Sequence, residues 1–135
     1  AALGLGKALS ASGAAQALAT TMLSLAGENP IWILLGLYII TVVLTETISN
    51  NAVAAMLLPL AIEIAQAGEI NARPLIIAIT LAASLSFITP IGYQTNLMVM
   101  GPGGYRSRDY LRCGIPLAIL MGICALTIIP HAWPF

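Results

Sequence analysis

The sequence predicts an all-α membrane protein: a helical bundle with a re-entrant hairpin and a discontinuous transmembrane helix. Three observations carry this expectation. Of the 135 residues, 59% are hydrophobic and 7% charged, whereas a soluble domain carries about 25% charged residues. A polar knot, Thr45-Glu46-Thr47-Ile48-Ser49-Asn50-Asn51, separates two apolar arms. A later apolar stretch is interrupted by Thr89-Pro90-Ile91-Gly92-Tyr93-Gln94-Thr95-Asn96.

The same composition excludes other classes. The formal net charge is zero, so there is no basic footprint for nucleic acid. No basic run precedes a short apolar segment at the start, so no signal peptide is expected. The chain begins with Ala1 in mid-pattern and is expected to be a piece of a longer polypeptide. Cys113 and Cys124 are eleven residues apart. On one helix that is ~16 Å, too far for a bond between them, so both are expected to pack. His131 has no Cys or carboxylate neighbours at ligand spacing, so no metal site is expected there.

Residues 1–27 are expected to form an interfacial helix, or the tail of a crossing plus one, with Lys7, Ser10, Ser12, Gln16, Thr20 and Thr21 interrupting Ala and Leu. Gly27-Glu28-Asn29-Pro30 is a turn, and Pro30 can open the next helix. The hairpin follows over 31–67. Its arms, Ile31 to Leu44 and Ala52 to Ala67, have about 14–16 residues each. At ~1.5 Å per residue they reach roughly 21–24 Å, short of the ~30 Å hydrocarbon core. Length alone also allows two ordinary crossings joined by a surface loop. The tip favours the re-entrant form. It has six side chains offering oxygen or amide groups and no Gly, Pro or Lys, and such groups at depth are kept for a pathway or site.

Residues 68–73 make a polar loop, and 74–101 form the broken helix. Leu75 to Ile88 is expected to be helical, and Leu97 to Met100 resumes after the break. Pro90 removes a donor and clashes with the preceding turn. Unwound backbone at membrane depth is tolerated only inside protein or beside a water-filled cavity. A Pro kink packed on a neighbour is the alternative. Gly101-Pro102-Gly103-Gly104 ends the segment. Arg106, Arg108 and Arg112 precede a final helix over 110–129, and the positive-inside rule puts them in the cytoplasm. The C-terminus and the loop 68–73 then lie outside. Together, 28–135 would form the part of the molecule that carries the site. A polar-tipped hairpin beside a discontinuous helix is how secondary transporters build midplane ion sites.

The residues resemble a known family. Thr45-Glu46-x-x-Ser49-Asn50-Asn51-Ala52, followed by Leu58-Pro59, is similar to the second Ser-Asn-Thr hairpin of the divalent anion/sodium symporters (DASS). Phe87-x-Thr89-Pro90-Ile91-Gly92-Tyr93-Gln94-Thr95-Asn96 and Gly101-Pro102-Gly103-Gly104-Tyr105 resemble the broken helix of the bacterial and algal permease branch, associated with sulfate and other anions. Gly6-Lys7-Ala8 and Ser12-Gly13 resemble its horizontal helix. The likeness covers residues 1–135 but only the C-terminal inverted repeat.

The resemblance implies half of an inverted-repeat elevator transporter and a homodimer in the inner (plasma) membrane, with an N-terminal half completing it. It implies sodium-coupled symport of a small divalent anion, sulfate or di/tricarboxylate-like, with sodium as coupling ion and no organic cofactor. Carbonyls of Thr45, Ile48 and Gly92 and the side chain of Asn50 would hold sodium. Ser49, Asn50, Asn51, Tyr93 and Gln94 would meet the anion. Asn51 stands where the family more often has Thr. Gly-Tyr-Gln-Thr-Asn stands where dicarboxylate carriers have Ala-Thr-Pro-Pro-Asn, so dicarboxylate specificity does not carry over. Glu46 could titrate, or serve as a helix-end acceptor. An arsenite or sodium/proton exchanger of related fold, or a non-transporting structural protein, are the alternatives. An enzyme is not expected: Ser49 has no His within the membrane, Glu46 has no partner acid, and no Gly-x-Ser-x-Gly, His-Glu-x-x-His or Walker loop occurs.

Overall fold

The computed structural model describes residues 4, 7, 8, 11–27 and 29–135. Gly6, Ser10 and Glu28, named above, lie outside them. All regular structure among the described residues is helical. In order these helices are α1 (Ala14–Ala26), α2 (Pro30–Thr45), α3 (Asn50–Ala67), α4 (Ala72–Ala83), α5 (Gln94–Met100) and α6 (Ser107–Ala132).

The starts follow local chemistry. Asn29 caps α2, its side chain accepting from the Ile31 N–H at 3.0 Å, with Pro30 in the first turn. Asn71 caps α4 in the same way, on the Arg73 N–H at 3.0 Å. At α6 the Asp109 carboxylate accepts from the Arg106 N–H at 2.8 Å. This closure starts the final helix at Ser107, three residues before the expected start. The helix also runs past Ile129 to Ala132, because Pro130 falls in its last turn and the Trp133 N–H still reaches the Ile129 carbonyl at 2.8 Å.

α2 and α3 form a helical hairpin joined by residues 46–49. α4 packs against both arms. Its buried face is Leu75, Ala78, Ile79 and Ala82, the stripe expected of a helix with one apolar side. α2 answers with Leu34, Leu37 and Thr41, and α3 with Val53, Leu60, Ala61 and Ile64. α1 lays Ala15 and Ala19 against the hairpin. α6 crosses α2 and α4 on a row of mostly small residues, Gly114, Ala118, Gly122, Ala125 and Ile129. Small residues let apolar helices approach closely in lipid. At Gly114 the approach leaves no room for a Cβ, which would overlap the Phe87 carbonyl.

The outward faces stay apolar. Trp32, Ile39 and Val43 of α2 and Ile119, Leu120 and Ile123 of α6 are exposed. α3 and α6 are the two described helices long and apolar enough to cross a bilayer. Cys113 and Cys124, expected to pack, are exposed on α6.

The largest departure from the reading of the sequence lies at the break. The helix expected over 75–88 stops at Ala83, and residues 84–93 are irregular. Gln94, Thr95 and Asn96, expected in the break, form the first turn of α5.

Candidate binding site at the hairpin tip and helix break

The tip is built by a tight exit from α2. The N–H groups of Thr47 and Ile48 both turn back to the Leu44 carbonyl, at 3.1 and 2.9 Å. Ser49 then stands at the start of α3 without a side-chain cap. An uncapped helix start leaves backbone N–H groups and positive partial charge for a ligand.

The break is opened from a distance. Glu46 is 7% exposed. One carboxylate oxygen accepts from the Ile88 N–H at 3.0 Å, and the other accepts from the Thr89 N–H at 2.8 Å and the Thr89 hydroxyl at 2.7 Å. The two N–H groups are donors that a continuing α4 would have used internally. Pro90 helps, since the residue before a proline is pushed out of helical conformation. Glu46 is therefore an acceptor, but for the facing segment rather than for its own helix end. Gly92 rests on this clamp: its N–H donates to the Thr89 hydroxyl at 3.1 Å, and a Cβ there would lie 2.6 Å from Glu46 Oε2.

A second cluster lies behind the tip. Thr45 is fully buried and Ser86 is 3% exposed. Thr45 Oγ1 lies 2.6 Å from the Ala83 carbonyl, 2.9 Å from Asn50 Oδ1 and 3.2 Å from Ser86 Oγ. Ser86 Oγ lies 3.2 Å from Asn50 Oδ1 and 3.3 Å from the Thr45 carbonyl. Asn96 ties α5 to the break, donating to the carbonyls of Ser86 at 3.0 Å and Thr89 at 3.2 Å. The Tyr110 hydroxyl of α6 donates to the Asn96 carbonyl at 2.7 Å.

Tip and break face each other across a cavity of about 440 Å³. Ser49, Asn50, Asn51, Tyr93 and Gln94 all line it, with Ile48 and Gly92. Thr45 lies behind this wall, joined to it through Asn50. No lining residue is charged: the remaining members are Thr47, Ile91, Thr95 and Met98. Such a surface can offer amide and hydroxyl donors to an oxyanion and carbonyl oxygens to a hard cation. Among the described residues there is no cluster of His, Cys, Asp or Glu suited to a metal ion.

The model of the citrate transporter family, CitMHS, matches residues 1–135, the whole chain. The chain belongs to the CitMHS family. Similar proteins include an uncharacterised transporter of Synechocystis, 48% identical over 89 residues and 66% of this chain. Sodium/sulfate cotransporter 2 of Chlamydomonas reinhardtii is 37% identical over 128 residues, 93% of this chain. Solute carrier family 13 member 2 of the rat is 33% identical over 97 residues, 72% of this chain. This CitMHS segment spans 14%, 14% and 16% of the length of those three relatives. The resemblance to divalent anion/sodium symporters is borne out by these matches, and the all-helical membrane fold by the helices described above.

Sequence reasoning missed Ser86, Thr89 and Tyr110 as parts of this site. Ser86 sits between Leu85 and Phe87, where a hydroxyl in a mostly apolar run gives no signal. Thr89 carried one, its place before Pro90.

Proposed function

We propose that this segment forms the C-terminal half of the site in a sodium-coupled symporter of a small divalent anion of the sulfate type. The observation that carries this reading is the convergence of two polar interruptions, about forty residues apart, on one uncharged cavity. A divalent anion at a neutral site gains most when a cation binds beside it, and unlike charges attract strongly where water is sparse. Ser49, Asn50, Asn51, Tyr93 and Gln94 meet the anion, and the uncapped start of α3 adds its partial charge. Carbonyls of Thr45, Ile48 and Gly92 and the Asn50 side chain hold sodium. Support for sulfate and sodium comes from the Chlamydomonas relatives named sodium/sulfate cotransporters. An N-terminal inverted half completes the carrier, which works as a homodimer by an elevator movement in the plasma membrane, with 28–135 in the moving part.

Asn50→Ala tests this reading. It removes a side chain that serves both ions, and each lost charge-assisted contact is worth roughly tenfold or more. Sodium-dependent sulfate uptake by the full-length protein in vesicles is expected to fall by about 100-fold, with the protein still inserted. Uptake at the wild-type rate would exclude Asn50 from the site.

The orientation has its own test. Arg106, Arg108 and Arg112 place residues 101–112 on the cytoplasmic side. A single cysteine at Ser107, which is exposed, is expected to react with an impermeant thiol reagent in inside-out vesicles only. Labelling from outside intact cells would invert the topology.

A further inference from the structure

We infer that the Ser86 hydroxyl is a further oxygen ligand of the coupling cation, an inference that rests on the sodium site proposed above. Ser86 touches three of the residues given to that site. Its Oγ lies 3.2 Å from Asn50 Oδ1 and 3.3 Å from the Thr45 carbonyl. A Cβ on Gly92 would come within 3.1 Å of the Ser86 Cβ, so the Gly92 backbone abuts the same side chain.

The spacing suits a cation. A hard cation of calcium's size, which sodium shares, holds oxygens at ~2.3–2.6 Å, so ligands at right angles stand about 3.3–3.7 Å apart. The two separations at Ser86 are close to one edge of such an octahedron. They are long for O–H···O hydrogen bonds, which centre near ~2.7–2.8 Å.

The protons can also be placed. The cluster holds two hydroxyl hydrogens, on Thr45 and Ser86. Thr45 has a close acceptor in the Ala83 carbonyl at 2.6 Å. Ser86 can then donate to Thr45 Oγ1 at 3.2 Å. In that arrangement no hydrogen stands between Ser86 Oγ and either Asn50 Oδ1 or the Thr45 carbonyl, which leaves lone pairs on all three oxygens for a cation. Without a cation, Ser86 turns its hydrogen to one of those two oxygens instead. Sodium replaces that hydrogen bond, and Thr45 and Ala83 provide the outlet that makes the exchange inexpensive. The buried Thr45 side chain is thus a positioning group for Ser86.

The experiment compares wild type, Ser86→Ala and Ser86→Cys in the purified full-length transporter. Thermal stability is followed against sodium chloride, with choline chloride holding ionic strength constant. Sulfate binding at saturating sodium is measured separately. Cysteine fills the space of serine but offers a soft sulfur, a poor partner for a hard cation. Both variants are expected to need about tenfold more sodium for half of the stabilisation. Their sulfate affinity at saturating sodium should stay within about twofold of wild type. An unchanged sodium requirement in either variant that folds overturns the assignment of Ser86 and leaves the proposed transport intact. A matching loss of sulfate affinity at saturating sodium also overturns it, because Ser86 would then act by orienting Asn50. A wild-type protein indifferent to sodium removes the sodium site itself, and Ser86 with it.

Discussion

Glu46→Ala is expected to release residues 84–93 from the hairpin tip. The substitution strands the N–H groups of Ile88 and Thr89, which both donate to the carboxylate, while the Thr89 hydroxyl keeps the residue-46 backbone carbonyl at 3.3 Å as an acceptor. A partly buried donor left without its acceptor costs about 1–3 kcal/mol, so the two cost about 2 kcal/mol or more. Hydrogen exchange of the full-length protein is the direct measurement: the amides of Ile88 and Thr89 should lose protection while those of α4 keep theirs. Uptake should be lost too, since Gly92 rests on the same carboxylate. Glu46→Gln sharpens the test. A carboxamide has one acceptor and one donor group, so it faces at least one N–H with an N–H and should rescue little. Wild-type protection in the Gln variant would mean that the clamp is not what holds the break.

The second large effect is expected at Gly114. A Cβ there would overlap the Phe87 carbonyl and approach the Ile88 Cα to 2.8 Å. Both obstacles are backbone, so no side chain can swing aside, and α6 must move away from the break. Overpacking of this kind costs ~1–3 kcal/mol. The displaced Phe87 and Ile88 adjoin the Glu46 clamp, so Gly114→Ala should lower both the melting temperature and uptake of the full-length protein. Gly101→Ala is the control, because nothing lies within 4 Å of a Cβ at that position. Equal stability of the two variants would show that α6 does not need this contact.

The hairpin was legible because its signal is local. Apolar arms, a polar tip and Asn29-Pro30 are all adjacent in sequence, and the expected arms, 31–44 and 52–67, differ from α2 and α3 by one or two residues at an end. The meeting of tip and break was legible for a related reason, as polar groups inside apolar segments need each other or a ligand. The end of α4 was not. Ser84-Leu85-Ser86-Phe87-Ile88 contains no breaker, and local preference continues the helix. What stops it is a carboxylate 42 and 43 residues earlier in the chain, which periodicity does not register. Ser86 was hidden in the same way, since its partners, Thr45 and Asn50, come from the other side of the site.

The Glu46 clamp also bears on biogenesis. When the hairpin emerges from the ribosome, the residues that will meet its tip have yet to be made. Glu46, Thr45 and Asn50 acquire their partners at Ala83, Ser86, Ile88 and Thr89, roughly forty residues later. A carboxylate and two polar side chains without those partners are poorly suited to hydrocarbon. The tip therefore gains its full set of partners only once the break has been made. Its seating is coupled to synthesis of the break, and the order of translation sets the order in which the site is assembled.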